Sequence, residues 1–235
     1  MSDEINLESL IRFYPKTGHS FGTIRDLDES EVCALRIYLN KDSSSWVDVG
    51  MLPETPTIEV LNELWDFKPE ELGRIAMGIV PRYQQSYGKG YRFSGSDHPP
   101  KPPPDIVKSY LDWANTTKYS TMYDGGGFTQ SFVNWYACGD HYIGPHADDE
   151  SQIRVSPLGE TAIISLNFQE GPLRRIFRIK PAGPGRERID IEMLNGMILV
   201  MGGRMQKTHT HQVPKARKSQ KEIGRRVNLT FRQFK

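Results

Sequence analysis

The sequence predicts a mostly β protein with flanking helices, in which an α/β N-terminal layer lies against a C-terminal β-barrel. Three observations carry that prediction. From Phe128 onward, short β-branched or aromatic segments alternate with Gly, Pro and charged turns, the spacing of a sandwich or barrel. Ahead of them, two stretches place apolar residues at helical intervals. The 235 residues, 37% hydrophobic and 10% aromatic, suffice for one or two domains with a sizeable core.

Taken in order, residues 1–54 read as turns and short strands, CALRIYL and WVDVGML among them. In TPTIEVLNELW (55–65), Ile58, Leu61, Leu64 and Trp65 fall on one helical face, with Thr55 as cap and Pro56 in the first turn. The stretch 81–104 is too rich in Pro and Gly to form one long element. Asp105 is placed to cap a second helix, IVKSYLDW, and Gly125-Gly126-Gly127 makes a flexible break. The strands then follow: FTQSFVNWYA, ETAIISLNF, RRIFRIK, ERIDIEML, GMILVMG, KTHTHQV and RRVNLTFRQF. No internal repeat is present at solenoid or propeller periods.

Composition removes several function classes. No apolar run approaches the ~18 residues of a membrane span, and the acidic start lacks the plan of a secretory signal. Cys33 and Cys138 are too few for a disulfide framework or a cysteine zinc site. The expectation is a soluble, intracellular protein with no membrane partner, acting as a monomer. The net charge of +1 conceals an asymmetry: residues 1–70 carry fourteen Asp/Glu against six Lys/Arg, whereas 204–235 carry ten Lys/Arg against Glu222. Basic clustering of this kind is the footprint of a polyanion partner.

The chemistry concentrates in the barrel. His146-Ala147-Asp148 puts an imidazole and a carboxylate on one side of an extended segment. His209 and His211 share a face on a later strand, and spacing does not choose between them, although the turn at His211-Gln212-Val213-Pro214 sets His211 nearer a barrel mouth. Two histidines and one carboxylate on one face of an octahedral ion are the ligand set of non-haem Fe(II) oxygenases. In RVNLTFR (226–232), Arg226, Asn228, Thr230 and Arg232 share one face, and Val227, Leu229 and Phe231 the other. Facing a barrel interior, two arginines call for an anion, and their planar forks suit the carboxylates of a 2-oxo diacid. Facing outward, the same strand would be ordinary. Asn134 and Tyr136 share a face likewise and offer neutral hydrogen bonds.

Together, N-x-Y (134–136), H-x-D-D-E (146–150), H-x-V-P (211–214) and RVNLTFR (226–232), in that order, resemble the AlkB family of Fe(II)/2-oxoglutarate-dependent nucleic-acid dealkylases. The likeness is strongest to the eukaryotic branch that repairs duplex DNA, whose pre-barrel segment also reads like PRYQQSYG…YRFSG (81–95). The resemblance implies a double-stranded β-helix (jelly-roll) barrel. It covers residues 79–235 as a dioxygenase domain, with nucleotide recognition in 79–105, and leaves 1–78 as an N-terminal extension packed on it. It implies His146, Asp148 and His211 as iron ligands, which selects His211 over His209. Asn134, Tyr136, Arg226, Thr230 and Arg232 would hold 2-oxoglutarate. Asp149, with Glu150 second, would contact the base, Phe93 and Tyr91 would stack on it, and Arg82 and Gln84 would touch the nucleic-acid strand.

The reaction so implied uses Fe(II), O2 and 2-oxoglutarate to dealkylate bases of the 1-methyladenine and 3-methylcytosine type in DNA, releasing aldehyde, succinate and CO2. A flipped base leaves the stack more cheaply where alkylation already breaks its pairing, and both lesions are cationic, as carboxylates at the pocket require. One departure stands out. Where the duplex-repair branch carries an aromatic-tipped wedge, this chain has GRIAMGIVPR (73–82), with Ile75 and Met77 as the apolar candidates; single-stranded DNA and RNA therefore stay open as substrates. A protein or lipid substrate for the same chemistry, a catalytically silent nucleic-acid-binding barrel, and a zinc hydrolase are the competing readings. The last leaves the paired arginines unexplained. The run KARKSQKEIGRR (215–226) would suit a nuclear address in a eukaryote.

Overall fold

Alternation in the last strand organises the architecture. In Arg226–Arg232, Val227, Leu229 and Phe231 enter one apolar cluster, while Arg226, Asn228, Thr230 and Arg232 line a cavity on the other side. The strand is buried on both faces, so its polar side chains do not face solvent: they face the barrel interior, where they line a polar cavity. A computed structural model of the chain describes residues 5–15, 22–28, 32–75, 78–93, 96–124, 126–217 and 223–235.

Two antiparallel sheets form the barrel. The larger runs Thr23–Asp26, Cys33–Tyr38, Ser45–Met51, Met197–Gly203, Thr161–Gln169, Arg226–Arg232, Gln130–Tyr136, Tyr83–Gly88. The smaller runs Ile11–Tyr14, Arg188–Glu192, Ile176–Pro181, His209–Val213, Ile143–His146. Between them lies a core that includes Ile37, Val47, Val49, Ile163, Ile179, Ile189 and Leu199. These are β-branched or Leu side chains at alternate positions, as a sheet face buried against another requires. The double layer matches the expected jelly-roll.

The N-terminal residues are joined to both sheets by main-chain hydrogen bonds. Ile11–Tyr14 pairs with Arg188–Glu192, and Ser45–Met51 pairs with Met197–Gly203. The helices cover the outer face of the larger sheet. Leu61 and Leu64 of α1 (Ile58–Asp66), with Ile106, Val107 and Ala114 of α2 (Asp105–Thr116), pack on Val133, Trp135, Ile164, Leu166, Phe168, Val227, Leu229 and Phe231. Trp135 Nε1 donates to the Leu64 carbonyl at 2.8 Å, pinning α1 to the sheet.

Both helices start away from the caps their sequence signals suggest, α1 two residues later and α2 one residue earlier. The cap of α1 is Thr57 rather than Thr55, because the Pro56 carbonyl accepts from Asn195 Nδ2 at 2.7 Å and is committed outside the helix. Pro104, extended at φ −57° and ψ 155°, precedes α2, so Asp105 occupies the first helical position instead of the cap. Its charge still faces the positive helix end. KTHTHQV divides: Met205–Thr208 forms a short helix and His209–Val213 the strand. Gly203, at φ +64°, makes the turn between strand and short helix, and a Cβ there would stand 2.1 Å from the Ser44 carbonyl oxygen.

Candidate active site

His146 ends its strand directly opposite His211 on the neighbouring one, and their ring centroids are 4.2 Å apart. Two residues on, Asp148 brings its carboxylate to 3.8 Å from His146 Nε2 and 4.0 Å from His211 Nε2. One ligand atom from each of the three lies within 4.8 Å of the others. The strand has already ended at His146, so Asp148 is placed by a further bond: its N–H donates to Gln206 Oε1 at 2.9 Å. His146 Nδ1 lies 2.9 Å from the Gly144 carbonyl, which keeps the proton on Nδ1 and leaves the Nε2 lone pair toward the cluster.

Electrostatics complete the donor set. Burial pushes His211 down to about 3 and lowers His146 as well, so both imidazoles are neutral near pH 7. Burial acts to raise Asp148, but Arg232, His211 and His146 outweigh it and hold the carboxyl at about 2. Arg232 Nη2 donates to Asp148 Oδ1 at 2.7 Å. Two neutral imidazoles and an ionised carboxylate suit Fe(II) with open coordination positions.

His209 belongs elsewhere. It faces the same side of the strand as His211, but it pairs across to Pro181, whereas His211 pairs to His146. Its Nδ1 is 2.8 Å from Thr208 Oγ1, and it lines a separate cleft with Tyr38 and Leu39. Two residues along a strand, some 7 Å, separate a cluster member from a bystander.

The opposite wall is the polar face of the larger sheet. Asn134, Tyr136, Arg226, Thr230 and Arg232 all line the cavity, joined by Asn228 and Ser165. Arg226 Nε donates to Asn167 Oδ1 at 2.5 Å, while its buried Nη1 has no hydrogen-bond partner. That orphaned donor fits an anionic carboxylate in the cavity. Arg82, expected at the nucleic-acid strand, is buried in the cavity wall at 5% exposure and donates from Nε to Asn134 Oδ1 at 2.8 Å. Gln84 also departs from that expectation, since its side chain packs on Gly73 with a buried amide.

The adjacent acids exchange places. Asp149 is exposed. Glu150 lines the cavity, with Oε1 3.9 Å from Arg232 Nη1 and Oε2 buried without a partner. Burial raises its carboxyl pKa. Past the strand end the backbone no longer alternates regularly, so the order of these two acids was not readable from spacing. Tyr91 and Phe93 sit on a hairpin strand, Tyr91–Phe93, paired with Ser96–His98; their side chains, the Ile75 side chain and Met77 lie outside the described residues. Sequence reasoning did not foresee that Glu150 and not Asp149 lines the cavity, and it missed Gln206 and Phe177, whose ring stacks 5.4 Å from His211. Strand parity pointed to Asn228, but no local signal marked Gln206.

Among the described residues, no helix is long and apolar enough to cross a membrane. Comparison with known proteins agrees with the geometry. At 31% identity over 164 residues, the chain is similar to the DNA oxidative demethylase ALKBH2 of Bos taurus, covering 66% of this chain and 54% of that protein. To ALKBH2 of Homo sapiens it is 30% identical over 164 residues, covering 66% and 57%. The chain thus spans somewhat over half the length of these curated relatives. Among solved structures, that of OsALKBH1 superposes with a TM-score of 0.51 at 14% identity, covering 80% of this chain and 96% of that one, a likeness of fold. The sequence profile described as 2OG-Fe(II) oxygenase superfamily matches residues 69–232, and the chain belongs to that superfamily.

Proposed function

We propose that the chain oxidatively dealkylates N-alkylated bases, of the 1-methyladenine and 3-methylcytosine type, in DNA. Aldehyde, succinate and CO2 are the products. The observation supporting this most is the meeting, across one cavity, of the His146–Asp148–His211 cluster and the Arg226–Arg232 polar face. The likeness to DNA oxidative demethylases supplies the substrate class.

Fe(II) with 2-oxoglutarate and O2, the cofactor set of the superfamily, supplies the oxidant that hydroxylates the alkyl carbon. The side chains provide placement. His146, Asp148 and His211 would hold the ion through two Nε2 atoms and a carboxylate oxygen. Arg226, Asn134, Tyr136 and Thr230 would hold 2-oxoglutarate, with Arg82 fixing the orientation of the Asn134 amide. Arg232 keeps Asp148 ionised and, lining the same wall, would also hold the co-substrate.

Glu150 carries substrate preference in this reading. Its buried carboxyl is disfavoured as an anion by desolvation, and a cationic alkylated base entering the cavity would relieve that cost, whereas the neutral parent base would not. Asp149 at the lip would add only screened attraction. Tyr91 and Phe93 would stack on the flipped base, whose exit from the helix costs a few kcal/mol. Hydroxylation leaves an N–CH2OH group, which collapses to the free base nitrogen and formaldehyde.

The test titrates Fe(II) and 2-oxoglutarate with methylated single-stranded DNA, duplex DNA, RNA and a methylated peptide, following methyl loss and formaldehyde. Formaldehyde from DNA is the expected result, and the strand preference follows from the ratio of rates. Formaldehyde from the peptide alone would overturn the reading.

A further inference from the structure

Arg175 is 2% exposed and, among the described residues, has no carboxylate within ion-pair distance. Its fork holds three main-chain carbonyls. Nη2 donates to His141 at 2.7 Å and Pro214 at 2.9 Å, and Nη1 to Cys138 at 3.4 Å. Cys138 and His141 lie in the turn between Gln130–Tyr136 and Ile143–His146, and Pro214 follows His209–Val213. One guanidinium therefore ties the segment leaving Tyr136, the segment entering His146 and the segment leaving His211.

A neutral donor could satisfy three carbonyls, so the charge itself needs a reason. The Arg175 guanidinium stands 5.5 Å from the Tyr136 ring centroid, and that of Arg226 stands 4.7 Å from the same ring. Arg226 is fully buried as well, with Nη1 unpaired and no described carboxylate in reach. Burial, with the neighbouring Arg226 charge, lowers Arg175 to about 10, so Arg175 remains cationic near pH 7, and a guanidinium such as that of Arg226 keeps its proton in proteins. Two buried cations around one phenol are costly until an anion arrives. Arg226 and Tyr136 line the cavity and Arg175 does not, so Arg175 acts from behind.

The geometry points to Arg175 as a positioning residue that makes the cavity prefer a 2-oxo dicarboxylate to a 2-oxo monocarboxylate, by fixing Tyr136 and reinforcing the positive charge of Arg226. This rests on the reading of the cavity as the 2-oxoglutarate site. The experiment measures equilibrium binding of 2-oxoglutarate and of 2-oxopentanoate to the full chain loaded with Mn(II), by calorimetry. Arg175→Gln should weaken 2-oxoglutarate about tenfold and leave 2-oxopentanoate within about twofold, since only one ligand carries the distal charge. Equal loss of both acids, as a merely structural role predicts, or no loss of either, would overturn the inference.

Arg175→Lys supplies an independent measurement should the Gln variant not fold. A buried ammonium loses its proton more readily than a guanidinium, so the variant's preference for the dicarboxylate should decay between pH 7 and about 9, where the wild type's still holds. Identical pH profiles would overturn the inference. A wild type that binds no 2-oxoglutarate would overturn the cavity's reading and this inference together; a wild type that binds it no better than Arg175→Gln overturns this inference alone.

Discussion

Asp148 has two tasks at once, as a member of the three-residue cluster and as the carboxylate partner of Arg232. Asp148→Asn should therefore lower Fe(II) affinity by roughly 100-fold or more and destabilise the metal-free protein by about 3 kcal/mol, because the Arg232 charge stays buried without its partner. Anaerobic metal titration and urea unfolding check the two effects separately. At Glu150, Glu150→Gln should raise KM for a cationic lesion about tenfold while 2-oxoglutarate turnover without substrate persists, and Asp149→Asn should change KM by less than about twofold. Equal effects of the two substitutions would return Asp149 to the base-reading role. His209 offers a pH prediction away from the cluster. Burial lowers it to about 4 from an ordinary 6.5, so the unfolded chain binds the proton first, and stability is lost as pH falls from 6.5 toward 4. The loss is on the order of 3 kcal/mol at most. His209→Asn should flatten the fall of Tm over that window; a slope unchanged from wild type would contradict the assignment.

The strand Arg226–Arg232 separates stability from binding within seven residues. Leu229, 0% exposed beneath the helices, should cost about 2–5 kcal/mol as Leu229→Ala, with 2-oxoglutarate affinity of the folded fraction retained. Asn228→Ala, one position away on the cavity face, should weaken 2-oxoglutarate binding several-fold and also unpair its partners at Ser165 and Leu166. Denaturant midpoints and calorimetric affinities distinguish the pair. This division was legible in the sequence, because a period of two sorts side chains by parity alone. What covered the apolar face was not legible: the two helices that pack there come from residues 58–66 and 105–116, far away along the chain. The start of α1 shifted for the same reason, since Pro56 is bound by Asn195, a residue 139 positions later.

Across the whole molecule, the two sheets bring the acid–imidazole cluster of one against the arginine face of the other, and the charge asymmetry along the chain bears on the partner. If the basic residues of 204–235 meet phosphates, affinity for a methylated oligonucleotide should fall at least about tenfold between roughly 50 and 200 mM salt. Lys215→Ala and Arg217→Ala, both at exposed positions, should each reduce the slope of log K against log salt by about one. A slope unchanged in both variants would place the strand elsewhere.

By itself the sequence determined the strand-rich barrel, the parity of its last strand and the side chains at 146, 148, 209 and 211 able to hold a metal. Those are local properties, set by residue spacing and by chemistry that each side chain carries with it. Spacing left His209 and His211 open, the resemblance favoured His211, and the tertiary structure set it opposite His146; only that structure decided that Glu150 rather than Asp149 turns inward and that Arg82 and Arg175 are buried supports. The histidine and arginine placements depend on which distant strand lies alongside, a long-range contact that no short window of sequence encodes, and that of Glu150 on a backbone that stops alternating past the strand end.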